Sequence, residues 1–184
     1  MTATDFHALA TWVRAAPPLL GSVRLVVVDG PAGSGKTTFA SRLAAELGDA
    51  PVVHMDDLYE GWSGLDAGVW HRLESQLLAP LREGHPGNYQ VYDWDAGRFA
   101  EWVTVPVADA VILEGVGAAA RPVDPWATRR VWVEGGEALR MQRGVARDGE
   151  ALRHEWVRWA VRESEHFAAD GTRQRADLVV DGSA

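Results

Sequence analysis

The stretch Arg24-Leu25-Val26-Val27-Val28-Asp29, followed at once by Gly30-Pro31-Ala32-Gly33-Ser34-Gly35-Lys36-Thr37-Thr38, decides the reading of this chain. Its first half is an apolar run rich in β-branched residues, the pattern of a strand buried on both faces. Its second half is a Gly-rich turn that opens into a helical pattern over residues 36–47. Strand, turn and helix in this order are the context that G-x-x-x-x-G-K-[ST], the Walker A pattern, requires. Glycines in such a turn let backbone N–H groups face inward around phosphate oxygens, and the N-terminus of the next helix adds partial positive charge. Gly30, Ala32, Gly33, Ser34, Gly35, Lys36, Thr37 and Thr38 are therefore expected to cradle the phosphates of a nucleoside triphosphate. Lys36 suits the β- and γ-phosphates as a compact point charge, which Arg's planar fork is not. It is the only lysine of the chain, whose other cationic side chains are all Arg, which marks this position as one to test for a need specific to lysine. Thr37 offers its hydroxyl to Mg²⁺.

Working outward, residues 4–15 read as a short amphipathic helix with Phe6, Leu9, Ala10 and Val13 on one face, ended by Pro17-Pro18. Residues 51–55 form a second short strand and 58–68 a loop. Residues 69–82 are helical, with Leu73, Leu77, Leu78 and Leu81 on one stripe. Residues 89–94 are a short strand at a sheet edge or in a hairpin. Residues 110–113, 130–133 and 176–180 are core strands. Residues 137–147 and 151–167 are helices, split near Asp148-Gly149. Strands alternating with helices predict an α/β protein, a three-layer P-loop NTPase fold whose mainly parallel sheet is flanked by helices on both faces. No linker or composition shift interrupts residues 1–184, which are expected to form one domain, with 1–20 as N-terminal helix and connector.

Composition narrows the function. At 184 residues with 47% hydrophobic and 24% charged side chains, the chain is an ordinary globular one, with no repeat and no disordered bias. The 18 Lys+Arg against 26 Asp+Glu give a net charge of −8, which disfavours nucleic acid and anionic membrane surfaces as partners. Cysteine is absent, so disulfides, thiolate metal sites and Cys nucleophiles are excluded. No apolar run has membrane-spanning length, and Asp5, His7 and Arg14 argue against a signal peptide. A cytoplasmic location is expected. The oligomeric state is left open.

Further motifs carry the chemistry. His54-Met55-Asp56-Asp57-Leu58-Tyr59 follows the second strand, at the carboxyl end of the sheet where open α/β sheets bind ligands. A carboxylate there can accept the proton of an attacking hydroxyl or help position Mg²⁺, and Asp56 is the candidate. Glu114 closes an apolar strand beside the phosphate loop, an arrangement that holds Mg²⁺ directly or through water. Arg140, Arg143 and Arg147 recur at spacings of three and four, on one helix face, and suit phosphoryl oxygens as a lid. The acceptor is expected among Tyr59, Tyr92 and Trp94, which can stack a planar ring, with Asp66 for sugar hydroxyls. Arg98 is a cation for an acceptor that carries its own phosphate.

The order of these motifs resembles the uridine kinase and nicotinamide riboside kinase group of P-loop phosphotransferases. Its anchors are the loop from Gly30 to Thr38, Asp56-Asp57-Leu58-Tyr59, Leu65-Asp66, Val91-Tyr92-Asp93-Trp94, Leu113-Glu114-Gly115, the run from Arg140 to Asp148, and Ala176-Asp177-Leu178-Val179. The resemblance implies transfer of the γ-phosphate of ATP, with Mg²⁺, to the 5′-hydroxyl of a nucleoside. It implies Asp56 as general base, Asp66 on ribose hydroxyls, Tyr92 and Trp94 in the base pocket, Glu114 on Mg²⁺, and the three Arg residues on the lid helix. The group's uridine and cytidine kinases carry a His shortly after the Tyr92 motif, where this chain reads Asp95-Ala96-Gly97-Arg98. The lid after Asp148 is also shorter. Both departures weigh against a pyrimidine acceptor and leave phosphoryl transfer untouched. The alternatives are a kinase for a nucleoside monophosphate, another small hydroxylated metabolite or an antibiotic. A further one is a nucleotide-dependent binding or regulatory protein that transfers nothing. The stretch from Asp29 to Thr38 also resembles the phosphate loop of bacterial cytidylate kinases, whose downstream signature is absent here.

Overall fold

The computed structural model describes residues 4–65 and 67–182, without the side chain of Ala67. Its centre is strand β1 (Arg24–Asp29), whose valines and leucine are all fully buried. The other strands of its sheet are β2 (Val52–His54), β5 (Ala110–Glu114), β6 (Ala127–Glu134) and β7 (Leu178–Asp181). They lie in the order β2-β5-β1-β6-β7, and every pairing is parallel. Such a sheet must be covered on both faces, because its strands are apolar on both.

Period-2 alternation sorts the strand residues between two cores. Val26, Val28, Ile112, Val131 and Val133 face Phe6, Ala10 and Val13 of helix α1 (Phe6–Arg14) and Phe39, Ala40 and Leu43 of helix α2 (Lys36–Glu46). Leu25, Val27, Val53, Val111 and Leu113 face the opposite layer, with Leu73, Leu77, Leu81, Tyr59 and Trp159. Asp5 caps α1 by accepting the Ala8 N–H at 3.0 Å, as an N-cap Asp should.

The second layer starts with helix α3 (Ala67–Leu73), passes through a π turn at Glu74–Leu78 and ends in helix α4 (Ala79–Arg82). Sequence periodicity predicts an uninterrupted helix here. Pro80 explains the difference, since it has no N–H and its ring would meet the carbonyl one turn earlier, and a widened turn relieves both. The segment after it is a hairpin of β3 (Gly87–Asp93) and β4 (Arg98–Val105), a separate two-stranded sheet. β4 is not legible in the sequence as a strand. A register shift between Gln90 and Tyr92 accompanies the pairing, and its alternation buries little. Helices α5 (Glu137–Asp148) and α6 (Arg153–Asp170) break at Gly149, whose φ of 95° ends α5 as expected. A short helix α7 (Thr172–Arg175) leads into β7. None of the described helices is long and apolar enough to cross a membrane.

The topology fixes where chemistry can occur. β5 lies on one side of β1 and β6 on the other, so the chain switches direction at the carboxyl end of β1. Crevices at such a switch point are where open α/β sheets hold ligands. Glu114 pairs in register with both Val28 and His54, which brings the ends of three strands together there.

Candidate active site

Asp29, the last residue of β1, anchors the loop that follows. Its carboxylate is fully buried and accepts the N–H groups of Gly30 at 2.7 Å, Gly117 at 2.9 Å and Ala119 at 2.9 Å. Burial pushes its carboxyl up to about 6; the three amides and the Lys36 charge oppose that shift. Beyond it, Ser34 N–H donates to the Pro31 carbonyl and Ala32 N–H donates to Glu163. The amides of Gly33, Gly35, Lys36 and Thr37 have no protein acceptor among the described residues. They belong to one turn and to the first residues of α2, where helix geometry leaves N–H groups unmet. Gly33 has a φ of 77°, and a Cβ there would stand 2.6 Å from the Arg140 carbonyl oxygen, so the close approach of loop and α5 requires glycine. Lys36 is 8% exposed and donates from Nζ to the Pro31 carbonyl at 3.0 Å, folded back over the loop.

Thr37 and Glu114 meet beneath the loop. The Thr37 hydroxyl donates to Glu114 Oε1 at 2.9 Å, and His54 Nδ1 lies 2.6 Å from the same oxygen. This hydrogen bond is the main cause of a raised His54 pKa; the negative charges of Glu114, Asp57 and Asp56 add to it, and burial opposes it. No motif or spacing in the sequence marks His54. Only the β2–β5 register, which sets His54 opposite Glu114, reveals it. No cluster of three or more His, Cys, Asp or Glu able to hold a metal occurs among the described residues. A hydroxyl and one or two carboxylates nevertheless fit Mg²⁺, which prefers oxygen donors and takes the rest of its shell from water and substrate phosphate.

The acids after β2 diverge. They lie in a single 3-10 turn, Met55–Asp57, rather than on extended chain. Asp57 accepts the Tyr89 hydroxyl at 3.1 Å. Asp56 keeps a face open to solvent while protein crowds its other sides. That desolvation raises its carboxyl above the ordinary range; Lys36 and Arg147 pull it down, and Glu114 and Asp57 push it up. Lys36, Glu114 and Arg147 thus all lie close enough to Asp56 to act on its charge.

The Arg residues of α5 divide. Arg140 donates from Nε to Gly135 O at 3.1 Å, and from Nη1 to Ala32 O at 3.2 Å and to Glu163 Oε1 at 2.9 Å. Arg143 donates to Gly33 O at 3.3 Å and Gly182 O at 3.2 Å. Both therefore hold loop carbonyls. Arg147 forks onto Asp148 at 2.7 and 3.1 Å, and Asp148 also accepts the Trp156 indole N–H at 3.0 Å. Spacing alone put all three on one face; it did not show that Arg140 and Arg143 are committed to the loop backbone.

An aromatic wall flanks the acids. Trp62 makes edge contacts with Trp94, Trp156 and Trp159 at centroid distances of 5.6, 6.0 and 6.1 Å. Tyr92 sits edge-on to Trp94 at 5.6 Å. Trp94 is 42% exposed and donates its indole N–H to the Asp56 carbonyl at 3.1 Å, so it stands at the rim of the cleft. Arg98 is exposed at the start of β4. Tyr59 is a correction: it is fully buried against Trp159, with its hydroxyl donating to the Val116 carbonyl. A ring held there stiffens the floor of the second core and does not face an acceptor. Asp66 lies outside the described residues.

No family model matches the chain. It is 29% identical over 133 residues to the inorganic pyrophosphatase TTM1 of Arabidopsis thaliana, covering 67% of this chain and 20% of that protein. It is 38% identical over 71 residues to a cytidylate kinase of Solibacter usitatus, 34% of this chain and 29% of that one. The chain thus spans about a fifth to a third of the length of these curated relatives. Among solved structures, a protein described as a possible uridine kinase from Bacillus stearothermophilus superposes with a TM-score of 0.68 at 21% identity, covering 96% of this chain and 97% of that one. A protein assigned as a fructose transport system kinase from Silicibacter superposes with a TM-score of 0.60 at 24% identity, over 96% and 99% of the two chains.

Proposed function

The chain has the α/β fold of the P-loop kinases, and from that premise we propose that it is a kinase. It moves the γ-phosphate of Mg²⁺–ATP to a hydroxyl of a small acceptor of nucleoside type. The observation that carries this reading is the set of open amides at Gly33, Gly35, Lys36 and Thr37, beside a lysine, Lys36, folded back over the same loop and close enough to act on the charge of an acid, Asp56. Convergent amides and one lysine bind phosphate oxygens; an acid beside them gives the acceptor's proton a destination. A nucleotide-dependent switch has no use for that acid or for the aromatic wall.

Phosphoryl transfer needs little covalent help from protein, so positioning and charge carry most of the rate. The open amides orient the phosphates. Lys36 leaves the Pro31 carbonyl for phosphate oxygen, exchanging a neutral partner for a charged one. Thr37 and Glu114 would hold Mg²⁺, which supplies charge neutralisation at the phosphate oxygens when bound. Asp56 accepts the proton of the acceptor hydroxyl. Its raised pKa makes it a better base than an ordinary carboxylate. Arg147, the guanidinium of α5 that is not committed to the loop, is released from Asp148 to face the transferring group. Trp94 and Tyr92 flank the acceptor ring, and Asp66 is proposed to hold its sugar hydroxyls.

The test separates binding from transfer. Radiolabelled γ-phosphate is followed from ATP into a mixture of nucleosides, while calorimetry measures nucleotide affinity. We expect Asp56→Asn to bind Mg²⁺–ATP within about twofold of the parent chain and to lose roughly 10²–10⁴-fold in transfer, the size of a general-base contribution. Unimpaired transfer in Asp56→Asn would remove Asp56 from the mechanism.

A further inference from the structure

Glu163 has no part in the transfer proposed above, yet it is an acid buried beside the loop. It lies on the inward face of α6 with Trp156 and Trp159, at helical spacing, and is 3% exposed. Both carboxylate oxygens are occupied. Oε2 accepts the Ala32 N–H at 2.8 Å, and Oε1 accepts Arg140 Nη1 at 2.9 Å. Arg140 Nη1 also donates to the Ala32 carbonyl at 3.2 Å. The N–H and the C=O of Ala32 are therefore both held, one by the acid and one by its partner cation. The cavity beside this bridge, between Met141, Trp156 and Trp159, measures only about 10 Å³. That is room for one water at most, so bulk solvent does not offset the burial of the charge.

A buried carboxylate is costly even when paired. It is also a negative charge beside a loop built for phosphate. Two features reconcile it with that loop. Arg140 offsets the charge, and the carboxylate takes only the Ala32 amide, leaving the amides of Gly33, Gly35, Lys36 and Thr37 open. Ala32 sits directly before Gly33, where a Cβ would stand 2.6 Å from the Arg140 carbonyl oxygen of α5. Fixing the Ala32 peptide from outside fixes the direction in which the following amides point.

We propose that Glu163 is a positioning residue for the phosphate loop, its bridge to Ala32 and Arg140 holding the first half of the loop so that the open amides converge on one phosphate. This rests on the reading of the loop as a nucleotide site. Because the bridge spans α6, α5 and the loop, it also makes nucleotide affinity depend on how the helix pair sits.

The full chain, with Mg²⁺–ATP and Mg²⁺–ADP as probes, tests the inference by calorimetry well below the melting temperature of each variant. Glu163→Ala is expected to weaken both nucleotides at least tenfold. Glu163→Gln keeps one acceptor oxygen but turns an NH₂ group toward a donor, and is expected to fall between the parent chain and Glu163→Ala. Arg140→Ala is expected to weaken nucleotide binding too, and the double variant to be no weaker than the worse single one, as for groups acting together. If Glu163→Ala does not fold, Glu163→Gln and Arg140→Ala carry the same comparison. Folded variants with parental nucleotide affinity, whatever their melting temperature, would overturn the positioning role and leave the kinase reading standing. Failure of the parent chain itself to bind either nucleotide would overturn both.

Discussion

Lys36 and Asp56 oppose each other in charge at the mouth of the loop, and each is open to a direct test. Lys36→Ala is expected to weaken Mg²⁺–ATP at least tenfold without unfolding the chain, since the lysine's one recorded bond is to the Pro31 carbonyl. Equilibrium binding of a fluorescent nucleotide reads this. Asp56 predicts a pH profile. Its carboxyl is raised mainly by desolvation, and only the ionised form accepts a proton. kcat/KM should therefore fall as pH drops through a value above the ordinary carboxylate range, and the limb should vanish in Asp56→Asn. A limb at or below the ordinary range of about 4 would place the base elsewhere. The same scale shows what sequence can and cannot disclose. Lys36 was legible because its motif and its being the sole lysine agreed. Tyr59 was misplaced because an aromatic beside an acid reads the same in the core as in a pocket. His54 and Glu163 were silent, since their meaning comes from strand register and a helix packed from far along the chain.

Among elements, β1 and α2 were legible because an unbroken apolar run and a glycine turn leave few alternatives. The hairpin of β3 and β4 was half legible: β4 buries little, so no periodic apolar signal marks it. The pairing of α5 with α6 shows a local need that composition hides. A Cβ at Gly144 would stand 2.6 Å from the Trp156 ring, so the helices approach only because glycine is there. Gly144→Ala is expected to cost about 1–3 kcal/mol in urea denaturation, the usual range for overpacking. Because α5 carries Arg140 and Arg143 onto the loop, nucleotide affinity should fall with it. A variant of unchanged stability would show that the helices separate without penalty.

For the molecule as a whole, Asp29 ties fold to site, joining β1, the loop and the segment after β5 through three amides. Its folded pKa of about 6 exceeds its unfolded value of 3.8. The folded state thus binds more protons between those values, and stability falls as pH rises through that window, by about 3 kcal/mol for this group alone at about 1.36 kcal/mol per pH unit. Above pH about 6 its contribution is level. Asp29→Asn is expected to flatten that slope in denaturation curves taken at pH 4 to 6.5, while lowering stability overall, because an amide cannot accept all three N–H groups. A slope of equal size in the variant would assign the effect to other groups.

The most direct measurement incubates the protein with Mg²⁺–ATP and a pool of nucleosides, nucleoside monophosphates, vitamins and hydroxylated antibiotics, then reads masses. Lys36→Ala runs beside it as the control. The proposal predicts that a nucleoside-type compound gains the mass of one phosphate and that the product is lost in the control. A pool left unchanged by a chain that binds ATP would contradict transfer to a small hydroxyl acceptor and leave a nucleotide-dependent switch in its place.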